Sequence, residues 1–141
     1  MNQLFKILFC LIVVTFLFSC DNKKTSSFQN ISLDDLELKR GDLLLCGDPN
    51  FGEVDFSLSC RYDLREKFNL GLTLIHSFEY AEAEKVFVNI LDQDKDCVMA
   101  YWATAMSILN HPLSRRQNTE SLKRGEELLK VAKTLVVNNE R

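Results

Sequence analysis

The sequence predicts an all-α fold in which two antiparallel helix pairs stack on each other. Apolar residues recur at helical spacing from Asp63 to Leu109, and a short turn and a polar break divide this stretch. Residues about 34 positions apart along it match in character. The matched pairs are Gly71 with Ala105, Leu74 with Ile108, and Phe68 with Trp102. A repeat of this length, built from paired helices, indicates two stacked helical hairpins.

Four helices are expected in the order of the chain, at about 64–77, 80–92, 97–110 and 119–137. The first begins near Asp63, and Glu66 three residues later fits a capping box. Gly71 costs up to about 1 kcal/mol of helix propensity relative to alanine, so we expect a close approach of the second helix there. Ser77–Glu79 makes the turn between the first two helices, and His111–Pro112 ends the third.

Each later helix has a row of apolar or small residues that we expect to face inward. The row on the second helix is Ala83, Phe87 and Ile90. The row on the third helix is Ala100, Tyr101, Ala103, Thr104, Ala105 and Ile108. The row on the fourth helix, which starts about eight residues late relative to the repeat, is Leu122, Gly125, Leu129, Ala132 and Leu135.

Residues 1–19 have the pattern of a leader peptide. A short basic start precedes an apolar run, Ile7–Phe18, which is too short to span a bilayer comfortably. The run ends in Leu17-Phe18-Ser19-Cys20, which resembles a bacterial lipobox, although Phe18 is bulkier than usual. This resemblance implies that Cys20 becomes a lipidated N-terminus that anchors the protein in the cell envelope, in a leaflet that the sequence leaves open. An ordinary secretory signal is the alternative.

Two segments separate this leader from the helices. Residues 20–31 are polar, and we expect a flexible tether. Residues 32–62 form a loop-rich lead-in that starts with a short helix from Ser32 and ends in an extended piece. That piece places Val54, Phe56 and Leu58 on one side. The helical domain then occupies residues 63–141.

Several blocks of this sequence resemble a group of bacterial exported tetratricopeptide repeat proteins. The similar blocks are Phe51–Cys60, His76–Ala83, Cys97–Met106 and His111–Leu113. The likeness covers about Gly47 to Leu113, and the chain departs from the pattern at Ala103 and Ser114. The resemblance implies tetratricopeptide-type helix pairs and an exported location, but no reaction. Members of the group are usually longer, so a shortened remnant or an accessory subunit is the alternative interpretation.

The cysteines left after the leader and Cys20 are Cys46, Cys60 and Cys97. Cys60 precedes the first helix and Cys97 starts the third, and these two helices are expected to run parallel. We therefore expect a Cys60–Cys97 disulfide, since disulfides persist outside the cytoplasm. Cys46–Cys60 is the alternative pairing, and the redox state of Cys46 is left open.

In tetratricopeptide folds the first helix of each repeat lines a concave groove. By repeat position, the expected groove residues are Arg65, Phe68, Leu72, His76, Met99, Trp102, Met106 and Asn110. The set is apolar and rich in sulfur, which favours a groove for a protein or peptide partner. The alternative is that the chain fills the groove with its own segment from Phe51 to Phe56.

Composition and motifs argue against several other functions. The net charge of −3 and the lack of a basic stripe argue against nucleic-acid binding. Phosphate loops, dinucleotide glycine patterns and short metal-ligand spacings are absent, so we expect no cofactor and no enzyme. A small enzyme that uses Cys46 or the histidines is a minor alternative. The paired acids Glu82 and Glu84 are expected on a solvated face.

The expected function is therefore that of a non-catalytic interaction module anchored to a membrane through Cys20. No polar capping segment follows the fourth helix, so self-association through that helix is a further alternative.

Overall fold

The computed structural model describes residues 32–45, 50, 52–109 and 118–139, with side chains as far as residue 136. By contacts, the chain divides into Met1–Asn30 and Ile31–Arg141, and the described residues belong to the second unit. The expectations for residues 1–31, including the leader, the tether and Cys20, lie outside the described residues, as do Cys46, Asn110 and His111.

The all-α prediction is confirmed. Within the described ranges the regular structure is entirely helical, without strands. The four helices are α1 (Arg65–His76), α2 (Tyr80–Gln93), α3 (Val98–Leu109) and α4 (Thr119–Asn139). Every helix end lies within two residues of its expected position. No helix among the described residues has the length and apolarity needed to cross a membrane.

The start of α1 differs from the expected capping box. A single 3-10 turn, Tyr62–Leu64, precedes the helix, and Leu64 takes the capping position without a side-chain hydrogen bond. The Asp63 carboxylate instead accepts a hydrogen bond of 3.1 Å from Nε of Arg61. The capping-box prediction is therefore wrong, because the 3-10 turn moves the helix start past Asp63.

The close approach expected at Gly71 is confirmed. A Cβ atom built on Gly71 would lie 2.5 Å from Cε1 and Cζ of Phe87, so only glycine leaves room for this ring. The turn between α1 and α2 is also where the sequence placed it. Phe78 adopts a positive φ of 67°, and the N–H of Glu79 donates to the carbonyl of Leu74 at 2.9 Å, which closes the end of α1.

The helices pack in chain order, α1 on α2, α2 on α3 and α3 on α4, with α1 also touching α3. The predicted inward rows of α2 and α3 are buried at every position. On α4 the prediction is partly wrong, because Leu122 and Leu129 are exposed. Gly125 and Ala132 of the predicted row are buried and Leu135 is half-buried, while Leu128 is buried in place of Leu129.

Apolar residues of the lead-in pack against the helices. Its short helix is a 3-10 turn, Leu33–Leu36, which Ser32 caps by accepting a hydrogen bond from the N–H of Asp34. Leu36 and Leu38 are buried in the core. Farther along, Val54 and Leu58 are partly buried against the same core, as their alternating spacing predicted.

Candidate functional site

Helix α3 exposes a narrow line of large side chains. Trp102 is 40% exposed and Met106 is 41% exposed, and Met99 on the same face is half-buried. These residues are three and four positions apart, so they lie in one row along the helix. The remaining described positions of α3 are buried or half-buried between α2 and α4. The row is therefore the part of α3 that a partner could contact.

The structure covers the equivalent row on α1 with the lead-in. Phe68 is fully buried, and the ring of Phe56 lies on it with centroids 5.7 Å apart. The N–H of Phe56 donates to Oδ1 of Asn69 at 3.1 Å, and Asp55 forms an ion pair with Arg65. At Phe68 the structure matches the alternative in which the chain's own segment fills the groove, and Phe68 does not line an open groove.

Phe68 also belongs to the core beneath. Its ring meets that of Phe87 edge to face, with centroids 5.2 Å apart and planes at 61°. Such an arrangement favours aromatic pairs beyond the area they bury. Phe68 thus lies in a stack of three rings, Phe56, Phe68 and Phe87, that joins the lead-in, α1 and α2.

The other expected groove residues divide between core and surface. Leu72 is buried, so it is core and not groove lining, because α1 turns it toward the neighbouring helices. His76 is exposed at the end of α1, and Arg65 is half-buried in its ion pair with Asp55. Asn110 lies outside the described residues. Among the eight expected residues, Met99, Trp102 and Met106 remain as a continuous apolar face.

Two glutamates of α2 hold the first part of the lead-in, and the expectation that they are solvated is wrong. Glu84 is only 2% exposed and Glu82 is buried as well. The carboxylate of Glu84 accepts a hydrogen bond of 3.0 Å from the N–H of Lys39. The carboxylate of Glu82 accepts one of 2.8 Å from the N–H of Leu44. Both carboxylates therefore bind the backbone of the lead-in.

Basic side chains compensate the two buried charges. Nη2 of Arg124 on α4 lies 2.8 Å from Oε1 of Glu84, and Nζ of Lys85 lies 3.0 Å from Oε1 of Glu82. Burial raises the pKa of Glu82, but the N–H of Leu44 and the ammonium of Lys85 outweigh it, so the pKa lies below its ordinary value. Glu82 is therefore ionised at neutral pH.

Arg124 joins three parts of the fold. Besides Glu84, its guanidinium donates to the carbonyl of Leu36 at 3.2 Å and to that of Glu37 at 2.7 Å. Nothing in the local sequence around Arg124 distinguishes it from other charges of α4, so sequence patterns could not have found this role. A bidentate pair between Arg40 and Asp92, with both distances 3.1 Å, ties the lead-in to the end of α2.

Cys60 and Cys97 lie at disulfide distance, with Sγ atoms 2.06 Å apart and Cα atoms 5.1 Å apart. The structure thus brings together the two cysteines that the sequence analysis paired. The bond joins the end of the lead-in to the start of α3, and it fixes the starts of α1 and α3 next to each other.

Besides the exposed face of α3, the described residues form an open, charged depression. They include no group of three or more histidine, cysteine or acidic side chains placed to bind a metal ion. One open depression of about 250 Å³ lies between the lead-in and α4, and it is smaller than typical ligand pockets. Its lining is mainly charged: Asp35, Leu36, Glu37, Glu120, Lys123, Arg124 and Glu127.

Protein-family models, curated proteins and solved structures were each compared with the chain, and none of the three comparisons gives a match. The described residues form a helical unit with a lead-in packed on it and an exposed apolar face on α3 that contains Trp102.

Proposed function

We propose that the protein is a non-catalytic interaction module of the tetratricopeptide type, anchored to a membrane through Cys20. Two helical hairpins, α1–α2 and α3–α4, form the module. The observation that carries this proposal is the exposure of Trp102 and Met106 on a helix that is otherwise packed. Large exposed apolar side chains in a row are typical of protein-binding surfaces.

A comparison of Phe68 with Trp102, which lies 34 positions later, indicates which kind of partner would fit on α3. These residues occupy matching positions of the two hairpins, yet Phe68 is fully buried and Trp102 is not. The difference has a visible cause, because Phe56 of an extended segment lies on Phe68. We therefore propose that the partner presents an extended segment with an aromatic side chain, which would lie on Trp102 as Phe56 lies on Phe68.

The single tryptophan of the chain makes this proposal measurable. A synthetic peptide of residues 52–59 carries the segment that covers Phe68, and a matched peptide replaces its phenylalanine by alanine. Because Trp102 is the only indole, its emission in the full chain reports directly on binding at α3. We expect the first peptide to shift the emission toward shorter wavelength and the alanine peptide to leave it unchanged.

Two variants control this titration. Met106→Lys places a charge beside Trp102 without disturbing the core, since Met106 is exposed, and it should abolish the shift. Ala81→Lys changes an exposed residue of α2 and should leave the shift intact. An emission that responds to neither peptide, or equally to both, contradicts an aromatic partner at Trp102.

The membrane anchor needs its own test, because it rests on the leader pattern alone. In a bacterial host, Cys20→Ser should move the protein from the membrane fraction to the soluble fraction, and globomycin should cause the precursor of the parent chain to accumulate. Cys46→Ser is the control and should stay with the membrane. Processing that is insensitive to globomycin would leave an ordinary secretory signal as the better interpretation.

A further inference from the structure

Helix α4 carries an apolar stripe that packing within the described chain leaves uncovered. Leu122 is 48% exposed, Leu129 is 42% exposed and Val136 is 40% exposed. They are spaced by seven residues, so they fall within a narrow angular range along nearly four turns of the helix. We call Leu122, Leu129 and Val136 the α4 stripe.

The stripe is not the buried face of α4. That face holds Gly125, Leu128 and Ala132, which are buried. The stripe lies beside this row, toward solvent, and the residues beyond it are charged. Exposed large apolar residues that recur at a heptad interval are typical of a helix that pairs with another helix.

The charges beside the α4 stripe indicate which partner helix would pack on it. Glu126 and Lys133 lie on the solvent side of the stripe, three residues before Leu129 and four residues after it. If two copies of α4 pack antiparallel about a two-fold axis at Leu129, Leu122 meets the partner's Val136. Glu126 then faces the partner's Lys133, and the same contact recurs on the other side of the axis. In a parallel pair, Glu126 and Lys133 of one copy would lie on the opposite side of the stripe from those of the other copy, so this charge contact would be absent.

The ion pairs within the protein leave this arrangement available. Glu126 is 66% exposed at its side chain and contacts Lys130 at 3.0 Å, so its second oxygen is open to another cation. Among the described residues, Lys133 has no carboxylate partner. From the apolar stripe and this symmetric charge pattern, we infer that α4 binds α4 of a second copy of the chain in an antiparallel, two-fold symmetric contact.

Charge reversal tests this inference directly. The full chain is studied by sedimentation equilibrium in a non-ionic detergent matched to the density of the solvent. Glu126→Lys alone, or Lys133→Glu alone, turns both attractive contacts into repulsive ones, and each should weaken the dimer by about tenfold. Far-UV circular dichroism of each variant shows whether α4 stays folded.

Mixing the two variants gives the decisive measurement. The Glu126→Lys variant has lysine at positions 126 and 133, and the Lys133→Glu variant has glutamate at both positions. A dimer of one variant with the other therefore regains an attractive ion pair at both contacts. We expect the mixture to associate as tightly as the parent while each variant alone does not. Lys123→Glu changes a charge away from the stripe and should leave the dimer intact.

Other results overturn the inference. A parent chain that stays monomeric at micromolar concentration shows that the stripe serves another protein or a further segment of chain. Variants that dimerise as well as the parent show that association arises elsewhere, for example through the apolar leader. None of these results depends on the proposed face at Trp102, so the two proposals fail separately.

Discussion

Replacing Arg124 by methionine should destabilise the protein strongly. The substitution keeps much of the length of the side chain but removes the guanidinium that lies 2.8 Å from Glu84. The Glu84 carboxylate would keep the N–H of Lys39 at 3.0 Å and the Lys39 ammonium at 3.7 Å, but that ammonium is half exposed. Removing one partner of a buried ion pair lowers the free energy of unfolding by about 3–5 kcal/mol. Because Lys39 still compensates part of the Glu84 charge, we expect a loss near the lower end, about 3 kcal/mol.

The assay is urea or thermal unfolding of the full chain followed by far-UV circular dichroism. A loss of 3 kcal/mol in a folded unit of this size corresponds to a decrease in Tm of more than about 10 °C. Glu84→Met combined with Arg124→Met removes both charges of this pair, and the double variant should recover at least half of the loss. If Arg124→Met alone costs less than about 1 kcal/mol, the pair behaves like a solvated one and the reasoning is refuted.

Three further predictions concern packing and pH. Gly71→Ala should destabilise the protein by about 1–2 kcal/mol in chemical unfolding, because overpacking against the ring of Phe87 exceeds the gain in helix propensity. An unchanged denaturant midpoint would show instead that α1 and α2 can move apart at little cost. Phe68→Ala should cost about 3–5 kcal/mol and Trp102→Ala less than about 2 kcal/mol, since only the first ring is fully buried. Equal losses would mean that Trp102 is core. Glu82 has a lowered pKa when folded, so its contribution to stability is complete above its unfolded pKa of about 4.5 and is lost as the pH falls toward the folded value. Glu82→Gln should therefore flatten the pH dependence of stability below about pH 4.5, and a parallel dependence in both proteins would contradict this assignment.

Local patterns were sufficient to predict the helices. Apolar spacing, the turn at Ser77–Glu79 and the break after α2 determine where helices begin and end, and these signals depend on residues close in sequence. Gly71 was also interpretable alone, because glycine within a helix needs a packing reason. The position of the Cys60–Cys97 pair followed from the order of the helices.

Contacts between distant residues were not predictable in the same way. Glu84 looks like any surface glutamate of an amphipathic helix, and only the arrival of Lys39 and Arg124, 45 and 40 residues away, makes it a buried anchor. Phe68 and Trp102 likewise hold matching positions, and their different exposure depends on where Phe56 lies. The candidate face could therefore be located by repeat position, but its extent required the path of the lead-in.

The bond between Cys60 and Cys97 also determines how the protein would respond to mechanical load. Suppose that the chain is pulled between a point before Ser32 and the end of α4. The covalent path of the force then runs along the lead-in to Cys60 and crosses the disulfide to Cys97. The two cysteines are 37 positions apart, and the chain between them, which includes α1 and α2, lies outside that covalent path. About 120 Å of extended chain therefore stays shielded from stretching while the bridge is intact, and chemical reduction would release it.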